Sequence, residues 1–261
     1  MIKKNYSGFT IVEISIVLVI IALIVGAVSS GTNLLSHAKL RSLITSYNSL
    51  QVAIKSFKLA YNYLPGDFPK ATTYWAASAT CIAGDVNSNT TYCNGNGDGM
   101  ISGSISSNNA SAEGTRALQH LALGGFIKGN YVGGSNLFTL GTTIYPVAID
   151  NSGYNILYSA ASSNLSSRIY NSIGNYLALT REIATGQPGG GAISPQDAYY
   201  IDQKIDDSLP STGNTLAYTP YASNSSYYVD NSNNCTETLN GKLIYSYLEQ
   251  DRACAMYHSI K

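Results

Sequence analysis

Asn94-Gly95-Asn96-Gly97-Asp98-Gly99-Met100 sets side-chain oxygens at alternating positions and follows them with glycine, as a calcium loop begins. Oxygens of Asn94, Asn96 and Asp98, with the Met100 carbonyl, could face one hard cation, and Asp85 or Glu113 could complete the site from outside the loop. The loop has a single carboxylate, however, and Ile105 stands where a bidentate Glu belongs. A Gly- and Asn-rich turn without an ion fits the same residues and is the simpler reading. Asp202 and Asp206 are spaced i and i+4, with Asp197 and Asp207 nearby, and paired carboxylates can serve acid–base chemistry or hold a metal. A solvated helix face relieved by Lys204 accounts for them more simply. His37, His120 and His258 form no metal-ligand spacing, and His120, beside Leu121, reads as a structural histidine. Gly95-x-Gly97-x-Gly99 lies in no strand–helix unit, and neither a Gly-x-Ser-x-Gly elbow nor a His-Glu-x-x-His pair occurs. No catalytic residue is predicted, and the chain does not read as an enzyme.

The remaining chemistry lies in one carboxylate and four thiols. Glu13 is the only charge in the run Phe9 to Val28. Cys81, Cys93, Cys235 and Cys254 all follow that run, and four cysteines allow three pairings. Cys81–Cys93 and Cys235–Cys254 are favoured because each closes a short, Asn- and Gly-rich loop with little else to hold it. Free thiols and a structural zinc are the competing readings, and the lack of any Cys-x-x-Cys weighs against zinc.

These residues sit in a chain of 261 residues with 15 Lys+Arg against 15 Asp+Glu, 11% charged and 44% hydrophobic, with 21 Tyr. Zero net charge excludes a nucleic-acid binder driven by phosphate neutralisation, which needs clustered unpaired Lys and Arg. The apolar run from Phe9 to Val28 covers about 30 Å as a helix, one hydrocarbon thickness. Lys3 and Lys4 precede it and no basic residue follows until Lys39, which favours an N-terminus-in orientation. Ser29, Ser30 and Gly31 imitate a signal-peptide cleavage site, but an ordinary signal leaves Glu13 unexplained.

Lys3-Lys4-Asn5-Tyr6-Ser7-Gly8-Phe9-Thr10-Ile11-Val12-Glu13 resembles the leader and mature start of a type IV pilin or type II secretion pseudopilin. The resemblance implies cleavage between Gly8 and Phe9 by a prepilin peptidase, N-methylation of Phe9, and a role for Glu13 in assembly. It also implies a single-pass inner-membrane protein with a cytoplasmic N-terminus and a periplasmic or extracellular head. The partners it implies are the peptidase, other pilin or pseudopilin subunits, the inner-membrane assembly platform and membrane lipid. Many family members carry a Pro midway along the membrane segment; here Gly26 and Gly31 are the only weak points. A family tendency toward a disulfide near the C-terminus supports Cys235–Cys254. Leu64-Pro65-Gly66-Asp67-Phe68-Pro69, Gly95 to Gly99, Arg116 to Leu121 and Ala198 to Asp207 also resemble segments of a large subgroup of bacterial prepilin-like proteins.

Beyond the apolar run, Leu40, Leu43, Tyr47, Leu50, Ile54, Phe57 and Tyr61 form one helical stripe, ended by Leu64-Pro65-Gly66-Asp67. The expected organisation is a leader (1–8), one long helix (9–62) and an α+β head (63–261) with a small antiparallel sheet and short helices. In the head, Glu113 to Leu123 reads as a helix with Leu118, Leu121 and Ala122 inward. Ser194-Pro195 opens a second helix to about Asp206. Strands are expected over 142–149, 154–160, 175–180, 242–247 and 252–260, with loops over 183–193 and 212–234. The expected function is a structural subunit of a type IV pilus or a type II secretion pseudopilus. The alternative is a minor tip subunit whose Tyr- and Asn-rich head acts as an adhesin.

Overall fold

The computed structural model describes residues 8, 10–75, 93–102, 113–133, 139–160, 172–184, 187–220, 234–249 and 251–260. The chain divides into two compact units at Arg41/Ser42. Helix α1, Ile11–Tyr61, is continuous over 51 residues. It has no proline, and it runs through Gly26 and Gly31 without a break. Asn62, with φ 60°, ends it in the left-handed conformation that asparagine adopts more readily than most residues. In the first unit, Ile11–Val28 has mean hydropathy 3.0 with none of it buried, and is long and apolar enough to cross a membrane.

In the second unit the stripe of α1 is a core face: Leu43, Leu50, Ile54 and Phe57 are buried, while Val52 and Leu59 on the other side are exposed. Tyr47 packs on His258 with ring centroids 4.5 Å apart, and Gln51 Nε2 donates to the Ser259 carbonyl at 3.1 Å. Phe57 lies among Phe68, Trp75, His120 and Phe126. The other helices are α2 (Ala71–Trp75), α3 (Glu113–Leu123) and α4 (Pro195–Ile205).

The strands are β1 (Tyr145–Pro146), β2 (Ser152–Ser159), β3 (Gly174–Ala184), β4 (Gln187–Gly190), β5 (Thr215–Tyr218), β6 (Thr236–Leu239), β7 (Lys242–Tyr245) and β8 (Ala255–Ser259). Among the described residues the main sheet runs β1-β2-β3-β8-β5, all antiparallel, with β4 also paired to β3. Register places Leu177 opposite His258 and Ala178 opposite Tyr257. One face of the sheet therefore carries the buried set Leu157, Tyr176, Ala178, Leu216, Tyr218, Ala255 and Tyr257. His258, on the other face, meets α1. Cys235 and Cys254 are disulfide-bonded, with Cα atoms 4.8 Å apart. The bond ties the start of the β6–β7 hairpin to the start of β8. Cys81 lies outside the described residues, so the Cys81–Cys93 expectation does too.

The α+β class, the long helix and the antiparallel sheet are as expected. Several local expectations need correction. The strand expected over 142–149 reduces to Tyr145–Pro146, because Thr139–Ile144 is a turn closed by Thr139 and Thr143. The loops expected over 183–193 and 212–234 contain β4 and β5, paired to β3 and β8. Hairpin strand β6 was not anticipated, since Thr-Glu-Thr-Leu carries little apolar signal. Helix α3 is buried from Glu113 through Leu121 rather than on one side, and Ala122 is only half-buried.

Candidate functional site

At the N-terminus, Thr10 caps α1. Its Oγ1 accepts from Glu13 N at 3.2 Å, and a Glu13 carboxylate oxygen accepts from Thr10 N and Thr10 Oγ1, both at 2.8 Å. Two amides that lack helical partners are thus satisfied reciprocally. Thr10-Ile11-Val12-Glu13 spells this capping box in the sequence, a signal the sequence reading did not use. Gly8 and Glu13 are exposed; Phe9 lies outside the described residues. The carboxylate singled out for assembly is therefore held at the first helical turn, three residues from the Thr10 amide it caps.

In the head, three of the prepilin-like segments converge. Asp67 is buried, and the loop that follows Cys93 wraps it: Oδ1 accepts from Gly97 N at 2.6 Å and Asp98 N at 3.0 Å, and Oδ2 from Gly99 N at 2.9 Å. Glu113 accepts from Asn96 N at 2.8 Å and from Ser102 N and Oγ, both at 3.0 Å. Gly66 N donates to His120 Nδ1 at 2.9 Å, and His120 Nε2 lies 2.7 Å from the Cys93 carbonyl. An imidazole that accepts at Nδ1 and donates at Nε2 is the neutral tautomer. Burial pulls its pKa down to about 4, against the Cys93 carbonyl, which favours protonation. Burial likewise raises Asp67 and Glu113 from the usual carboxylate range, opposed by their amide donors. A side chain on Gly95 would overlap the backbone of Gly66 and Asp67, so the loop can lie this close only with glycine there.

Of the four residues predicted as calcium ligands, Asn94 turns its Oδ1 to Thr72 N and Oγ1 at 2.9 and 3.2 Å. Asn96 and Asp98 bond each other and the loop backbone, and Asp98 Oδ1 accepts from Met100 N at 2.8 Å. The carboxylates that the fold does bring together are Asp67, Asp98 and Glu113, with one oxygen of each within 4.8 Å of the others. Asp85 lies outside the described residues. His37 is exposed on α1, while His258 is buried, bonded through Nδ1 to Thr215 Oγ1 at 3.1 Å and pulled down by burial to about 3.

Helix α4 starts as its sequence signals: Ser194 Oγ accepts from Asp197 N at 3.2 Å, and Pro195 takes the first position. Its acidic face is not simply solvated. Asp202 is fully buried, with Oδ2 accepting from Tyr245 Oη at 2.8 Å and the Ser208 amide also donating to its carboxyl. Burial pushes its carboxyl up to about 7. Asp206 is half-buried, Asp207 and Lys204 are exposed, and Lys204 Nζ sits 5.6 Å from the Tyr200 ring centroid.

Residues 3–29 match the family model for the prokaryotic N-terminal methylation motif, the signature of type IV pilins and pseudopilins. Neither a curated protein nor a solved structure matches the chain.

Proposed function

We propose that the chain is a pilin-like structural subunit, cleaved between Gly8 and Phe9, N-methylated on Phe9, and polymerised through α1 into a type IV pilus or a type II secretion pseudopilus. Before assembly α1 sits in the inner membrane with the head on the far side, and an assembly platform extracts it. The methylation motif supports a type IV pilin-like or pseudopilin subunit. The observation that carries the finer reading is the coincidence of Gly8-Phe9, the Thr10–Glu13 capping box and an exposed apolar helix on one unbroken segment, Gly8 to Val28.

The chemistry follows from the geometry. Hydrolysis of the Gly8–Phe9 amide creates an ammonium beside an amide that Glu13 already accepts from, at the positive end of the helix dipole. Methylation leaves that amine able to carry charge. In a filament core, away from headgroups and water, a lone Glu13 would be expensive to bury, and a neighbouring subunit's ammonium can pair with it. Such a pair sets the height of one helix against the next. It specifies register more than it adds stability.

Intact-mass analysis of the purified protein is expected to show a chain beginning at N-methyl-Phe9. A mature N-terminus near Thr32 would refute the reading. Glu13→Val as the only copy is expected to leave cleavage and membrane insertion intact while abolishing or sharply reducing filaments or secretion. Normal assembly from that variant would reduce Glu13 to a helix cap.

A further inference from the structure

Three Asn-Gly pairs occur in the chain, Asn94-Gly95, Asn96-Gly97 and Asn240-Gly241, and the fold treats them differently. Asparagine followed by glycine is prone to ring closure, because glycine has no Cβ to shield its amide nitrogen from the preceding side chain. In the first two pairs that nitrogen is engaged. Gly95 N donates to the Phe68 carbonyl at 2.9 Å, and Gly97 N donates to Asp67 Oδ1 at 2.6 Å. The asparagine side chains are held as well: Asn94 Oδ1 accepts from Thr72, and Asn96 bonds Asp98 through both its oxygen and its nitrogen. Asn240 and Gly241 instead form the turn between β6 and β7, where Leu239 pairs with Lys242. Both residues are exposed, and the space where a Gly241 Cβ would stand is open. Among the described residues no hydrogen bond engages the Gly241 amide or the Asn240 side chain.

We propose that Asn240 is a site of spontaneous covalent modification in the folded chain, converting to aspartyl and isoaspartyl, and that the fold protects Asn94 and Asn96 from the same reaction. Hydroxide takes the proton of the Gly241 amide, and the nitrogen attacks Asn240 Cγ. An N–Cγ bond forms, the Cγ–Nδ2 bond breaks, and ammonia leaves with a proton returned by water. Water then opens the cyclic imide at one carbonyl or the other, giving aspartyl or isoaspartyl, and nothing is oxidised or reduced. Asn240 and Gly241 have φ 50° and 76°, as in a type I′ turn, so ring closure needs a local opening of that turn. Strands β6 and β7 pair only with each other among the described residues, and a two-stranded hairpin is marginal by itself, so its tip opens at small cost. Freeing Gly97 N instead strips a donor from the buried Asp67 carboxylate. Freeing Gly95 N lifts a loop that lies against the backbone of Gly66 and Asp67. Either product sets a carboxylate next to the Gly241-Lys242 step, and isoaspartyl also lengthens the main chain there by one carbon. A two-residue turn so lengthened no longer fits the register of its strands.

The full chain in detergent is held at mildly alkaline pH, once folded and once unfolded in urea, then digested in mild acid and mapped by mass spectrometry. Electron-transfer fragmentation separates isoaspartyl from aspartyl. In the folded chain Asn240 is expected to convert about tenfold or more faster than Asn94 and Asn96, whose following amides must first be released. In urea the three rates are expected to agree within about a factor of three, since only their local sequences then differ. The proposal is overturned if Asn240 in the folded chain is no faster than the other two. It is equally overturned if the lead of Asn240 is as large in urea, which assigns the difference to sequence and not to the fold. The readout involves neither leader cleavage nor assembly, so it stands apart from the filament reading.

Discussion

At the residue scale, the hydrogen bonds around His120 decide its charge. Gly66 N needs an acceptor at Nδ1, so a second proton there would break the bond and leave an amide buried. His258, buried between Tyr47 and Tyr154, is equally unfit to carry charge. Both histidines ionise near 6.5 when unfolded but are held down to about 4 and about 3 in the fold. The unfolded chain therefore binds more protons below about pH 6.5. The stability these residues contribute is full above that pH and is lost as pH falls toward 4. Each histidine is worth on the order of a few kcal/mol in this window. The buried carboxyls of Asp202, Asp67 and Glu113, raised in the fold, act with the opposite sign and partly mask the slope. Comparison with a double variant isolates the histidine part. His120→Asn/His258→Asn is expected to lower the urea midpoint at pH 7 and to flatten its fall between pH 6.5 and 4.

At the element scale, the loop Asn94–Ile101 is held by what it surrounds. Its amides converge on Asp67, and its far end is tied to β3 through Asn175, which accepts from Ile101 N at 2.8 Å and donates to the Gly99 carbonyl at 2.9 Å. Asp67→Asn turns one of the two accepting oxygens into a donor facing other donors. A loss of about 2–3 kcal/mol is expected in urea titration, against about 0.5 kcal/mol for the exposed Asp98→Asn. Helix α1 divides in the same way between its faces. Phe57→Ala, in the ring cluster, is expected to cost about 3–5 kcal/mol, and Leu59→Ala, 87% exposed, close to nothing. The Cys235–Cys254 bond closes a separation of 19 residues, and its removal by Cys235→Ser/Cys254→Ser is expected to lower stability by about 3 kcal/mol.

At the scale of the whole molecule, two different solvents shape one helix. From Ile11 to Val28 its side chains are apolar and exposed, which water disfavours and lipid or a filament core accepts. From Leu43 to Phe57 the same helix buries one stripe in the head. The intact chain is accordingly expected to stay with the membrane fraction through alkaline carbonate extraction and to need detergent for purification. Release by carbonate alone would contradict the anchoring role of Ile11–Val28.

Both regimes of α1 were legible in the sequence because helical periodicity and unbroken apolarity are local patterns. The bounds of α3 and the Ser194-Pro195 start of α4 were legible for the same reason. The Phe9–Glu13 start was legible because it is a contiguous string. Tertiary structure decided which faces each element covers and which distant groups meet. Asp67, Asp98, Glu113 and His120 stand 31, 15 and 7 positions apart in turn, and no local pattern says that one residue's oxygens will take another's amides. Strand β5, flanked by Gly213-Asn214 and Pro220, is a strand only because β8 supplies its hydrogen bonds. Asp202 looked like one carboxylate of a solvated face. It is buried because Tyr245, 43 residues later, folds back over it on a hairpin pinned by the Cys235–Cys254 bond. Periodicity specifies an element and its faces, whereas burial depends on long-range pairing, which only the folded chain completes.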